Sequence, residues 1–331
     1  MTARKAAIAL AVEGGADLAE KIDPRLVGLS LVEKREGQAD ELDVRLQNAD
    51  GRLAIPDPGV VLTLSMGWLS GADVALGLFD KGRFTVDEVG QEGPPDVVTF
   101  RARSANLTGL LRQRRTKTWK DITLGALLHE IAARHGSTAR VDGALAALQV
   151  EPIEQEGKSD AAFVADLGRR YDAIATWKGG KLIFLPIGKS ATADGTALGA
   201  QLLVKRDGWR WSFNRADREN YDGAAAQWQD QDAGRRRTVE VGGDNRRKLK
   251  RVYASEAEAR QAATAAAGRA ARMPYRFTYD LAIADPALQP DMKVALSGWG
   301  DRIDGISWLV ESVRTDYSAQ GMVQSIELES A

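Results

Sequence analysis

RRKLKRVYASEAEARQAATAAAGRAARM at residues 246–273 and SGWGDRIDGISWLVESVRTDYSAQGMVQSIELE at residues 297–329 bound the stretch whose reading decides the fold. Ser255 and Glu258 stand three apart directly before the alanine run, so each side chain can take up the other's free backbone N–H at a helix start. A helix is expected near 255–272. Beyond Met273 and Pro274 the helical spacing gives way to short β-rich runs broken by Pro286, Pro290, Gly298, Gly300, Gly305 and Gly321. Strands are expected near 275–283, 292–299, 306–313 and 322–328, and the helix is an insertion in, or a preface to, a β-rich unit.

The same grammar fills the first hundred residues. An apolar run at 6–12 is broken by Glu13 and two glycines where a signal peptide would continue its apolar core, so it reads as a first strand. Residues 25–53 read as a hairpin, with Val27, Leu29 and Leu31 on one face of its first strand and Leu42, Val44 and Leu46 on one face of its second. Glu41, Asp43 and Arg45 alternate with the latter and so share the opposite, solvated face. Asp50 and Gly51 supply a turn, and runs at 60–66, 83–89 and 97–103 keep the period of two. Several short strands between Gly, Pro and Asp turns argue for an antiparallel barrel or sandwich.

The composition shifts at 107–120, LTGLLRQRRTKTWK, where Arg112, Arg114, Arg115, Lys117 and Lys120 flank Trp119. Such a run could grip a phosphate backbone, but no further aromatic interleaves with it, and a linker or protein contact suits it better. Thr123 then caps a helix carrying Leu124, Leu127, Leu128, Ile131 and Ala132 along one face, with Gly136 placed to end it. His129 and His135 are six residues apart on different faces, which excludes a two-ligand helical metal site and leaves them structural or exposed. A second helix begins at Ser159 and Asp160, aligns Phe163, Leu167 and Tyr171, and is expected to pack on the first. Gly179–Gly180 between 173–177 and 182–185 signals a two-residue hairpin turn. Residues 192–200 read as a crossing into a last unit. There Trp209, Trp211 and Phe213 alternate on one strand face, a pattern that serves a core or, alternatively, a sugar-binding stripe. Residues 227–243, with Arg235, Arg236 and Arg237, read as a loop or long hairpin tip.

The 331-residue chain is long enough for several cores. Its 45 basic and 46 acidic residues give no field that would draw nucleic acid or an anionic membrane to the whole molecule, and no run approaches the ~20 apolar residues of a membrane span. The absence of cysteine removes disulfides, thiolate nucleophiles and cysteine metal sites. No serine elbow accompanies the two histidines, no glycine loop carries the partners of a nucleotide motif, and no carboxylate stands in a setting that marks it as catalytic.

Taken together, ADELDVRLQNADGRLAIPDPG (39–59), KGRFTVDEV (81–89), TWKDITLGALLHEIAARHG (118–136), SDAAFVADLGRRYDAIATWKGGKLIFLP (159–186), VYASEAEARQAA (252–263) and LQPDMKVALSGWGDRIDGISWLVESV (288–313) give the chain a resemblance to late control protein D of contractile-tailed bacteriophages and, more remotely, to VgrG-type spike-hub proteins. SAQGMVQSIELE at 318–329 departs from the more aromatic or glycine-rich turn expected before the last strand. The resemblance implies a mainly β chain: two antiparallel β-barrel domains, 1–106 and 200–331, flank a small α+β domain, 107–199, and the helix near 255–272 is inserted in the second barrel. It further implies a virion protein made in the host cytoplasm, a homotrimer whose six barrels join the hexameric tail tube to the trimeric central spike, with the tape-measure and baseplate wedge proteins as further partners. No enzymatic activity, cofactor, metal, nucleic acid or membrane insertion is implied. Arg246, Arg247, Lys248, Lys250 and Arg251 then read as a subunit or spike contact, and Ala262, Ala263, Ala266 and Ala267 as a face for close approach. Other readings are the same hub in a contractile bacteriocin or injection system, a tail-associated cell-wall hydrolase using Asp160 or Asp172, and a carbohydrate-binding module using Trp209 and Trp211.

Overall fold

The computed structural model describes residues 3–14, 22–35, 39–53, 57–104, 111, 113–191, 196–215, 221–272 and 274–331. Gly15, residues 107–110, Arg112, residues 192–195 and Met273, named above, lie outside them. The first six strands are β1 (Lys5–Val12), β2 (Leu26–Lys34), β3 (Glu41–Gln47), β4 (Val61–Ser70), β5 (Gly77–Glu92) and β6 (Val97–Arg103). They pair antiparallel in the order β1-β4-β5-β6-β3-β2. Alternation works as the sequence implies: Leu31, Leu42, Val44, Leu64, Met66 and Phe84 are buried in one core, while Glu41, Asp43 and Arg45 face outward and pair with arginines or acids across the strands. Val27 is an exception. The ladder skips it, passing from Leu26↔Leu46 to Gly28↔Arg45, and this bulge turns Val27 out to solvent rather than onto the Leu29 face.

A small α+β unit follows. Three two-residue ladders tie 114–123 to 149–159, and α1 (Leu124–Arg134), β7 (Thr138–Val141), α2 (Asp160–Tyr171), β8 (Ala173–Lys178) and β9 (Lys181–Pro186) enclose a core around Trp119, Leu128, Phe163 and Phe184. Both helices are capped as expected: Ala126 N–H donates to Thr123 Oγ1 and Ala162 N–H to Ser159 Oγ, each at 3.2 Å. Gly179 and Gly180 at φ 55° and 73° make the tight turn between β8 and β9. The two helices share this core, but α2 lies chiefly on β8 rather than on α1. Gly168 is the reason α2 sits so close to that strand, since a Cβ there would fall 2.5 Å from Ala175 Cβ.

The remaining strands are β10 (Gln201–Val204), β11 (Gly208–Arg215), β12 (Gly223–Asp230), β13 (Arg235–Gly242), β14 (Arg246–Tyr253), β15 (Tyr275–Leu281), β16 (Lys293–Ser297), β17 (Trp308–Ser318) and β18 (Gly321–Ser330), with helix α3 (Glu256–Arg272) between β14 and β15. Six of the strands repeat the first set. Their order is β10-β16-β17-β18-β15-β11, and each position matches its counterpart in chain order. The correspondence extends to single residues. The bulge at Val27 recurs at Trp209, where the ladder passes from Gly208↔Leu281 to Arg210↔Asp280. The bulge at Asp87, between Val86↔Ala102 and Glu88↔Arg101, recurs at Glu311, between Val310↔Leu328 and Ser312↔Glu327. Even the entry to the fourth strand is copied: Gly59 N–H to Val86 O and Val86 N–H to Val60 O are matched by Asp291 N–H to Val310 O and Val310 N–H to Met292 O. The repeats differ at their first strand, since β1 pairs antiparallel with β4 but β10 pairs parallel with β16.

The second repeat has its own core, around Phe277, Tyr279, Trp308, Val313 and Ile326. Among the described residues neither repeat closes into a barrel. Instead β2 pairs antiparallel with β17, from Leu29↔Tyr317 to Lys34↔Ser312, so one twelve-stranded sheet runs through both halves. The 227–243 segment is not a loop but most of a hairpin, β12 and β13, which β14 extends in parallel into a separate three-stranded sheet. That sheet explains the alanine helix. Ala259, Ala263 and Ala266 meet Ala224 and Ala226 of β12, so the close neighbour is this inserted sheet rather than the large one.

Candidate assembly interface

The N-terminus of α3 is built by Ser255 and Glu258, though not as the reciprocal pair expected. Glu258 N–H donates to Ser255 Oγ at 3.2 Å, but the Glu258 carboxylate accepts from Ala254 N–H at 3.2 Å, one residue before the cap. The same buried carboxylate binds Arg170 of α2 at 2.5 Å and Arg251 of β14 at 3.3 Å. Glu258 therefore joins helix start, basic strand and α+β unit in one place.

The basic run lies on β14. Where the ladder to β12 passes from Ala225↔Lys248 to Gln227↔Val252, three residues of β14 stand opposite one of β12. Arg247, Lys248, Lys250 and Arg251 are all exposed, and the irregularity interrupts the alternation of faces between Lys248 and Val252. Arg246 is half-buried and pairs with Glu240 at 3.1 Å and Asp244 at 3.3 Å, and Arg251 also lies over the Tyr253 ring. Arg247, Lys248 and Lys250 have no acidic partner within ion-pair distance among the described residues. On the far strand Arg235 and Arg236 are exposed, while Arg237 pairs with Asp230 at 2.8 Å. The unit carries exposed cations along both outer strands of its sheet, and Arg251 among them reaches the helix through Glu258.

A chain of buried ion pairs, which nothing in the local sequence marks, fixes this unit to the large sheet. Asp172 ends α2 in the left-handed conformation and binds Arg272, at the end of α3, at 2.5 Å. Arg272 reaches Glu329 of β18 at 3.2 Å, and Glu329 holds Arg35, which follows β2, at 2.7 Å. Nearby, Lys81 binds Glu33 at 2.8 Å and Lys178 binds Asp40 at 2.9 Å. Burial raises the Glu33 carboxyl above its ordinary range against the opposing pull of Lys81, and it raises Glu329 against Arg35 and Arg272. Arg35, Glu33 and Lys81 line a cleft of about 440 Å³ between the first repeat and the α+β unit, together with Asp40 and Asp291. Burial also raises Asp291, although its oxygens accept Gly188 and Ser190 N–H, each at 2.8 Å. Every acid in this cleft is thus spent on an ion pair or a backbone donor.

The carboxylates considered for hydrolysis are similarly engaged. Asp160 is fully buried and accepts from Arg134 (2.9 Å), His135 Nε2 (2.7 Å) and Gln155 (2.7 Å). Burial alone would raise it, but Gln155, His135 and Arg134 outweigh that and hold it below the usual carboxylate range. His135, read from the sequence as structural or exposed, is the buried partner of this acid, and His129 Nδ1 bonds Gly125 O within its own helix. No group of three or more potential metal ligands occurs among the described residues, and none of their helices is long and apolar enough to cross a membrane.

The aromatic stripe departs from a core role. Trp209, at the bulge, is 63% exposed and Trp211 is 41% exposed, while Phe213 packs against Tyr275 and Trp308. Trp211 stacks on Phe277 at 6.0 Å from the outside. The cause is position: among the described residues β11 is the last strand of the large sheet and pairs with β15 alone.

A duplicated strand order, an open sheet edge with exposed tryptophans and acids committed to ion pairs suit a protein that assembles with others. The comparisons with known proteins place it. No protein-family model matches the chain. It is 33% identical to the probable baseplate hub protein of Escherichia phage 186 and 34% identical to that of Escherichia phage P2, over 95% of this chain and 90% of each relative. The chain belongs to this family, the phage baseplate hub proteins of the late control protein D type. Its fold is shared by the 43 kDa tail protein of prophage MuSo2 from Shewanella oneidensis (TM-score 0.66, 13% identity, 97% of both chains). It is shared too by a type VI secretion component of E. coli described as similar in structure to the T4 tail proteins gp27 and gp5 (TM-score 0.58, 12% identity, 93% of this chain and 74% of that one).

Proposed function

We propose that this baseplate hub is a non-enzymatic adapter, a homotrimer that joins a sixfold tail tube to a threefold central spike. The observation that carries the reading is the duplication. Two repeats with matching strand order and matching bulges, each with its own core, give six near-equivalent repeats when three copies surround an axis. In this reading residues 1–106 and 200–331 are barrel-like lobes completed within the assembly, and 107–199 with α3 and its sheet is the scaffold that sets their spacing. The cations Arg247, Lys248 and Lys250, with Arg246 and Arg251 beside them, contact the spike or a neighbouring copy. Locking Asp160 and Asp172 in ion pairs supports structural rather than hydrolytic work for these acids. Light scattering of the purified chain, alone and with its spike protein, tests the proposal: a mass about three times the 35.8 kDa chain that binds spike is expected. A monodisperse monomer that never binds the spike overturns it.

A further inference from the structure

Inside one chain, among the described residues, the two repeats meet along one ladder, the second strand of repeat one against the fifth strand of repeat two. The counterpart edges are open. β11, the second strand of repeat two, pairs only with β15, and β5 pairs with β4 no further than Thr85, so its 88–92 segment has a free edge among the described residues. Burial reports the same difference. Leu31 and Val313, at the internal ladder, are fully buried, whereas their equivalents Phe213 and Val89 are only partly covered; Leu29 is 2% exposed, but its equivalent Trp211 is 41% exposed.

We propose that β11 of one copy pairs antiparallel with residues 88–92 of β5 in a second copy of this chain, repeating the internal junction between molecules. The matched bulges set the register. Since Trp209 corresponds to Val27 and Glu311 to Asp87, the internal pairs Ser30↔Asp316, Leu31↔Thr315 and Val32↔Arg314 become Ser212↔Glu92, Phe213↔Gln91 and Asn214↔Gly90 between copies. The charges agree with the pairing. Arg210 lies diagonal to Glu92 at a distance long side chains span, where it joins the pair that Glu92 makes with Arg45 in its own copy. Each copy offers one edge of each kind, so the contact is head-to-tail, the type from which rings are built where the rotation closes. It also satisfies the two sheet edges that would otherwise template unspecific pairing. The pairing rests on the ring-forming reading above and gives that ring its contact residues.

The chain contains no cysteine, so engineered disulfides report only the pairs introduced. Directly opposed strand residues have Cα atoms about 4.5–5.5 Å apart, within disulfide range. Oxidised S212C/E92C is expected to run as covalent dimers and higher rings on non-reducing gels. S212C/E88C, four residues out of register, is expected to stay single-chain. S30C/D316C, the internal equivalent, is expected to close within one chain and shows that the site type accepts the bond. Oligomers by light scattering without S212C/E92C cross-links, while S30C/D316C closes, would overturn the strand pairing alone. A chain that stays monomeric throughout would overturn both the pairing and the ring.

Discussion

Glu329→Gln keeps the shape of a buried side chain and removes its charge. Arg35, whose side chain is 3% exposed, holds its guanidinium 2.7 Å from that carboxylate, and Arg272 reaches it at 3.2 Å. A guanidinium does not deprotonate to escape burial. Leaving one charge of a buried pair without its partner costs roughly 3–5 kcal/mol. Arg272 keeps Asp172, and Asp291 also feels both arginines, so the lower end of that range, about 3 kcal/mol, is expected. Urea unfolding followed by tryptophan fluorescence reads it, because Trp308 sits in the second core one strand from Glu329. The double variant Arg35→Met with Glu329→Leu should recover most of the loss, since apolar replacement of a whole buried pair is commonly neutral or stabilising. A loss below about 1 kcal/mol for Glu329→Gln would refute the claim that this pair lies in a dry junction between the repeats.

Ala263→Leu adds volume where α3 meets Ala224 and Ala226 and should cost about 1–3 kcal/mol, visible as a lower thermal midpoint; an unchanged midpoint would place the helix off its sheet. The Asp160 carboxyl is held below its unfolded value, so the stability it contributes is present above the ordinary carboxylate range and lost as pH falls through its native pKa. Asp160→Asn should therefore flatten the acid limb of stability against pH, measured by urea midpoints; an unaltered limb would contradict the assignment. Reversing Arg247, Lys248 and Lys250 to glutamate should weaken assembly in light scattering and leave circular dichroism unchanged, whereas unaltered assembly would remove these cations from the interface.

Period-two alternation and turn residues made the strands legible. Leu42, Val44 and Leu46 bury as read, Gly179–Gly180 turns as read, and Thr123 and Ser159 cap as read. What escaped was set by partners distant in sequence. Trp209 and Trp211 look like core because alternation reports a shared face and not whether anything covers it; an edge strand and a bulge decide that. The basic run is a strand because β12 pairs with it, and the alanines of α3 face Ala224 and Ala226, a match visible only after folding. The Arg35–Glu329–Arg272–Asp172 chain joins residues up to 294 positions apart and leaves no local signature. The duplication hid because equivalent positions keep strand order and bulges but not residue type, as with Val27 and Trp209.

Single-particle cryo-electron microscopy of the assembled hub tests the central claim most directly. A threefold particle is expected in which the two repeats of each chain form a ring of six near-equivalent units, with the β2–β17 ladder recurring between copies as β11 against β5. A particle whose repeats do not lie on one ring, or whose β11 edges point into solvent, would contradict it.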